Sequence, residues 1–224
     1  MFSEAGTCTL TPETTQGPYY FDADKVRADI REDRPGTTLR LALKVQDSET
    51  CAPLPNAVVE IWHCDANGLY SGAEAQSTGG TGGPPAGAPP AGGPPPGGTG
   101  TSAGMADLTP TDDQRYLRGA QVTSAAGIVE FTTVWPGWYR GRTVHIHVLV
   151  HVGNERVLTS QLMFDEALNS AVFADAPYAA RTGRDTFNDE DTLFEDSMLL
   201  KVTRQADGCL GALVLAADPD RNGR

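Results

Sequence analysis

The stretch "GWYRGRTVHIHVLVH" (137–151) begins as a loop and ends as a strand. Pro136 and Gly137 introduce it, and from Thr143 to Val148 polar and apolar residues alternate. Side chains of a strand point to opposite faces in turn, so His145, His147, Leu149 and His151 share one face. Ile146, Val148 and Val150 share the other, and this all-apolar face is expected to be the buried one. Two of the chain's four histidines therefore stand side by side, at a spacing that lets two imidazoles share one ligand.

Similar runs lie on either side. Strands are expected at 38–47 (TLRLALKVQD), 56–63, 127–135, 142–152, 157–164, 197–204 and 210–217, separated by turn chemistry such as "HVGNER" and "QADG". Residues 38–47 and 56–63 read as a hairpin. Residues 165–196 are expected to form short helical turns and an ordered loop. About seven short strands with polar turns make an all-β chain, a β-sandwich with Greek-key-like connections.

The length of 224 residues suits one large β domain spanning 1–224. One segment departs from it. Residues 79–100 hold ten Gly and seven Pro in 22 positions, without a collagen period. This composition cannot bury a core, so a flexible insert is expected at about 78–104. Net charge of −12 argues against nucleic acid and anionic membranes as partners, and there is no apolar run of membrane-spanning length.

Cys8, Cys51, Cys64 and Cys209 show no C-x-x-C spacing, which disfavours a structural zinc site. Two disulfides in an exported protein fit better, although "MFSEAGTC" is not a signal peptide. In the hairpin reading Cys51 and Cys64 lie more than about 20 Å apart, beyond disulfide reach. The pairs expected are Cys8–Cys64 and Cys51–Cys209.

His145 and His147 on one face point to a metal. A cupin site needs a glutamate four or five positions after the second histidine, where this chain has His151 and Val152. Other ligands must come from elsewhere, and "GWYRG" supplies Tyr139. His63 and His151 are expected to be structural or exposed, and Arg140 a surface charge. Asp47, Glu60, Asp65 and Asp165 are expected to be solvated acids, and Trp62, Trp135 and Trp138 core or pocket-wall residues.

Four segments in order, "TPETTQGPYYFD" (11–22), "AVVEIWHCDANGLYSG" (57–72), "PGWYRGRTVHIHV" (136–148) and "TSQLMF" (159–164), resemble the intradiol ring-cleavage dioxygenases. The resemblance runs from about residue 11 to 215, apart from the insert, and implies a β-sandwich and a non-haem Fe(III) cofactor. It implies Tyr70, Tyr139, His145 and His147 as metal ligands, with Arg142 and Gln161 beside them as catalytic and substrate-binding groups. Tyr139 would also act catalytically as the ligand that leaves when substrate binds, while Tyr70 stays. Pro18 and Tyr19 would line the substrate pocket. Phenolates are hard, electron-rich donors that suit ferric iron. The implied partners are small-molecule catechols and O2, with ring opening to cis,cis-muconate-type products.

Certain features depart from the family pattern. The helical dimerisation region of the cytosolic catechol dioxygenases has no room here, so a monomer or small homo-oligomer is expected. The insert falls between the two tyrosines. The short, cysteine-containing form resembles the exported branch, which implies an extracellular location and a role in degrading lignin-derived aromatics. Two other classes fit less well: a secreted transthyretin- or immunoglobulin-like binding module with a non-catalytic metal site, and a zinc hydrolase built on the histidine pair.

Overall fold

In a computed structural model of the chain, residues 2, 8–77 and 106–223 are described. The Pro/Gly insert expected at about 78–104 lies wholly outside the described residues. Eight strands run β1 (Thr38–Asp47), β2 (Val58–Trp62), β3 (Arg118–Val122), β4 (Ile128–Val134), β5 (His145–Val152), β6 (Glu155–Met163), β7 (Lys201–Gln205) and β8 (Gly208–Ala217). They form two four-stranded sheets, ordered β4-β1-β8-β7 and β3-β2-β5-β6. The helices are short: α1 (Glu74–Ser77), α2 (Glu166–Phe173) and three single 3₁₀ turns between 178 and 198. No helix among the described residues is long and apolar enough to cross a membrane.

Alternation builds the core. Leu39, Leu41, Leu43 and Val45 of β1 are buried and pack in one cluster with Val59 and Ile61 of β2 and with Ile146, Val148 and Val150 of β5. Arg40, on the opposite face of β1, is exposed. The apolar face of β5 is thus buried as expected, but so is its histidine face. His145 and His147 are buried because residues 11–21 run across this side of the sheet. Thr14 N–H donates to Thr159 O at 2.8 Å, Ser160 Oγ donates to Pro12 O at 2.7 Å, and Tyr19 and Tyr20 pack on Trp62 and Leu149.

Two expectations fail here. Residues 38–47 and 56–63 do not form a hairpin. β1 pairs antiparallel with β4 and parallel with β8, whereas β2 pairs with β3 and β5, so the chain changes sheets between them. Strand β3 was also not expected. Its sequence, RGAQV, carries little β-branched signal, but Gly119 lets Ile30 approach so closely that a Cβ there would lie 2.6 Å from Ile30 Cγ2.

The cysteine pairing is corrected too. Cys8 bonds Cys51, with Cα atoms 5.2 Å apart, while Cys64 and Cys209 are free and buried. The parallel β1/β8 register gives the reason. Cys209 lies opposite Leu39 and Ala217 opposite Asp47, so Cys209 and the Cys51 turn sit at opposite ends of β1. Eight residues of strand separate them, about 26 Å. Thr11 N–H donates to Ala216 O, which brings the N-terminal segment to the Cys51 end. Cys51 and Cys64 do stay unpaired with each other.

Candidate metal centre

Tyr70 arrives from the loop after β2. Asp65 Oδ1 accepts from Asn67 N–H at 2.8 Å and Leu69 N–H at 2.9 Å, closing the turn that ends at Tyr70. Asp65 is therefore a buried loop organiser and not a solvated acid. Tyr70 N–H donates to Ser77 Oγ of α1 at 2.9 Å. Tyr139 comes from the loop before β5, and the two loops lock together at Gly137. Its N–H donates to Asp65 O at 3.1 Å, and a Cβ at 137 would lie 2.4 Å from that oxygen and 2.6 Å from Ala66 O. Only glycine fits this approach.

β5 supplies the histidines. His145 Nδ1 lies 2.7 Å from Thr143 O. A carbonyl only accepts, so Nδ1 carries the hydrogen and the bare Nε2 faces the site. His145 Nε2 lies 3.0 Å from the Tyr139 hydroxyl and 3.1 Å from His147 Nε2. Trp62 stacks on His147, with ring centroids 4.8 Å apart and planes 3° apart. Tyr70 presents its ring 5.8 Å from that of Tyr139 and 6.3 Å from that of His147. Its buried hydroxyl completes no hydrogen bond of normal geometry, although Tyr139 is near enough to interact with it electrostatically.

Burial favours neutral forms throughout. Burial, followed by the nearby Arg142 charge, pushes His145 down to about 3. His147 is pushed well below its ordinary value by burial and then by His145. Both imidazoles are thus uncharged at neutral pH, each with one ring nitrogen bare, as metal ligation requires. In the protein alone, burial raises both phenols, with Tyr139 adding to the rise at Tyr70 and Arg142 opposing it at Tyr139.

The structure also brings Arg142 and Gln161 together. Arg142 Nη2 donates to Gln161 Oε1, and Arg142 Nε donates to Asp191 Oδ2 at 2.9 Å. Gln161 Nε2 reaches Thr15 O at 3.4 Å. Tyr19 stacks on Tyr70 at 4.6 Å between centroids, and Pro18 beside it is half-buried. Gly17 packs against His147, where a Cβ would lie 3.1 Å from its Cε1.

The remaining residues mostly follow expectation. His63 is structural: it is buried, with Nε2 at 2.7 Å from Thr133 Oγ1, and burial lowers it to about 4. His151 pairs with Glu60 at 3.0 Å, Arg140 is exposed, and all three tryptophans are buried. Asp47 caps the turn after β1 through Thr50 N–H, and Asp165 caps α2.

Two buried charges beside the site are not distinguished by the sequence. Asp191 sits among five acids in "NDEDTLFED", where nothing in the spacing distinguishes it. Arg118 lies in the unexpected strand β3. It is 2% exposed, and it grips the Tyr70 surroundings by donating to Ser71 Oγ at 2.9 Å, Ser71 O at 2.9 Å and Tyr19 O at 2.7 Å. Among the described residues no group of three His, Cys, Asp or Glu is placed to hold a metal ion.

No family model matches the chain. A solved structure of an intradiol ring-cleavage dioxygenase from Tetranychus urticae is 32% identical, superposes with a TM-score of 0.78, and aligns over 95% of this chain and 96% of its own. A hydroxyquinol 1,2-dioxygenase from Pseudomonas putida DLL-E4 shares the fold at 14% identity, with a TM-score of 0.61 over 95% of this chain and 68% of its own. Among curated proteins, a catechol 1,2-dioxygenase of Acinetobacter baylyi is 27% identical over 203 residues, 80% of this chain. The chain spans about half of that enzyme's length, 53%.

Proposed function

Since this chain belongs to the intradiol ring-cleavage dioxygenases, we propose that it opens catecholic rings between the two hydroxyl-bearing carbons. One O2 is added per ring, both oxygen atoms enter the product, and a cis,cis-muconate-type dicarboxylate forms. The observation that carries this reading is the convergence of Tyr70, Tyr139, His145 and His147. Two neutral imidazoles direct Nε2 atoms 3.1 Å apart, Tyr139 Oη lies 3.0 Å from one of them, and Tyr70 brings a buried phenol without a formed hydrogen bond.

This donor set fits ferric iron. The buried Tyr70 hydroxyl has Tyr139 near it but no well-formed hydrogen bond, which is costly, and a trivalent cation would remove that penalty by taking the phenolate. Two phenolates and two imidazoles favour Fe(III) over softer or divalent ions. Bound there, iron would withdraw electron density from a chelated catecholate and prime the ring for reaction with O2.

The chain's own residues divide the remaining work. Tyr139 is partly exposed and Tyr70 is buried, so Tyr139 meets the incoming catechol and, as phenolate, accepts one of its protons. Arg142 offers fixed positive charge where negative charge develops on the substrate. Gln161 holds that guanidinium in place. Pro18 and Tyr19, from the segment laid across the sheet, line the pocket and exclude water.

The disulfide between Cys8 and Cys51 supports an extracellular setting, since such bonds persist in oxidising compartments. Degradation of lignin-derived aromatics by a monomer or small homo-oligomer is consistent with it.

The test is oxygen uptake by iron-loaded protein over catechol, protocatechuate and hydroxyquinol, with spectra of the products. Muconate-type products are expected. A yellow hydroxymuconic semialdehyde, or no uptake with any of the three, contradicts the reading.

A further inference from the structure

Arg142 and the backbone leading into β5 meet in one carboxylate oxygen. Asp191 Oδ2 accepts from Arg142 Nε at 2.9 Å and from Thr143 N–H at 2.8 Å. The Asp191 side chain is 2% exposed and that of Arg142 11%. Its other oxygen accepts from Leu193 N–H at 2.9 Å, which anchors the acid to its own loop.

The same loop grips Thr143 a second time. Thr143 Oγ1 donates to Asn188 Oδ1 at 2.6 Å, and Asn188 Nδ2 donates to Phe164 O at 2.8 Å. Arg184 reaches Thr143 Oγ1 at 3.1 Å while holding Glu166 of α2 with two bonds, at 2.6 and 2.7 Å. Thr143 O in turn accepts from His145 Nδ1.

We propose that Asp191 is the positioning residue for Arg142, and that loop 184–193 clamps residues 142–143 so that the guanidinium and His145 face the centre together. A guanidinium on three rotatable carbons is useful to a reacting centre only if its direction is fixed beforehand. Gln161 restrains one end of the planar group, and Asp191 restrains the other through Nε. Burial alone would raise the Asp191 carboxyl, but Arg142 and then the Leu193 and Thr143 amides hold it below its ordinary value. Asp191 thus stands as a full negative charge beside Arg142 and leaves its Nη groups free for Gln161 and substrate.

The kinetic part of the test rests on the ring-cleavage reading, and the other part does not. In the metal-free protein, the Arg142 Nε–H followed by NMR should exchange slowly with solvent. Asp191→Asn, which keeps the volume and one acceptor oxygen, should speed that exchange at least about tenfold. In the iron-loaded enzyme, Asp191→Asn should lower kcat about tenfold or more and leave KM for catechol within about threefold. Its tyrosinate charge-transfer band should be unchanged, since the ligands remain. In an Arg142→Lys background the same substitution should lower kcat no further, because residues acting as a unit are not additive. Unchanged Nε–H exchange in Asp191→Asn overturns the proposal, as do kcat losses that multiply in the double variant. Wild-type protein that cleaves no catechol refutes the ring-cleavage reading instead, and the exchange measurement still decides the role of Asp191.

Discussion

Tyr70 and Tyr139 share a residue type but not an environment. Tyr70 is 1% exposed, stacked under Tyr19 and held by its own N–H on Ser77. Tyr139 lies at the rim, half-buried and beside Gly141, whose φ of +79° has no atom within 4 Å of its missing side chain. The loop before Tyr139 is not free to move. Gly137 is wedged against Asp65, and Trp138 is buried with its carbonyl held by Arg181. Any swing of Tyr139 therefore pivots about its side-chain torsions and Gly141, not about Pro136 and Gly137. Tyr139→Phe should still bind iron and catechol but turn over about 100-fold more slowly, for want of a proton acceptor. Tyr70→Phe should abolish the charge-transfer band that persists in the anaerobic catechol complex. Survival of that band in Tyr70→Phe and its loss in Tyr139→Phe would mean the two roles are reversed. Asp191 is held below its ordinary value, so it stabilises the fold above the usual carboxylate range and loses that contribution as pH falls through its depressed value. Thermal melts from pH 6 down to about 3 should converge for wild type and Asp191→Asn at the acid end; parallel curves would contradict this.

At the scale of elements, β5 was the most legible part of the chain. Its two-residue period and H-x-H spacing fix both a buried apolar face and the paired imidazoles. What its pattern could not tell is that the histidine face is buried too, because the cover comes from residues 11–21, more than 120 positions away. β3 went unread because RGAQV becomes a strand through tertiary fit at Gly119. Asp191 and Arg118 went unread because a buried charge has no signature in spacing; only its partners reveal it. The locking of the two tyrosine loops makes an element-scale prediction. Gly137→Ala places a methyl against two backbone carbonyls that cannot yield cheaply, and it should destabilise the protein by about 2–3 kcal/mol. Iron content should fall with it, as Tyr139 moves away from Tyr70. Denaturant unfolding and metal analysis together check this; full iron loading at wild-type stability would show that the loops are not locked.

For the whole molecule, the sandwich provides a rigid sheet and the N-terminal segment provides the cover. That cover is tied at one end by Cys8–Cys51, bridging 43 positions, and along its length by Thr11 on Ala216 and Thr14 on Thr159. Breaking the bridge with Cys51→Ser should lower stability by about 3 kcal/mol, read by denaturant unfolding. The charge-transfer band should survive, because none of the four proposed ligands lies on the tied segment. Loss of the band would make the cover part of the metal centre's framework. On the proposed function, Tyr70, Tyr139, His145 and His147 on this scaffold hold ferric iron for intradiol cleavage. The most direct test is turnover of catechol by the iron-loaded protein under ¹⁸O₂, with mass analysis of the product. The expected product is cis,cis-muconate carrying both labelled atoms, one in each carboxylate. A ring-opened aldehyde, or a dicarboxylate carrying one label or none, would contradict it.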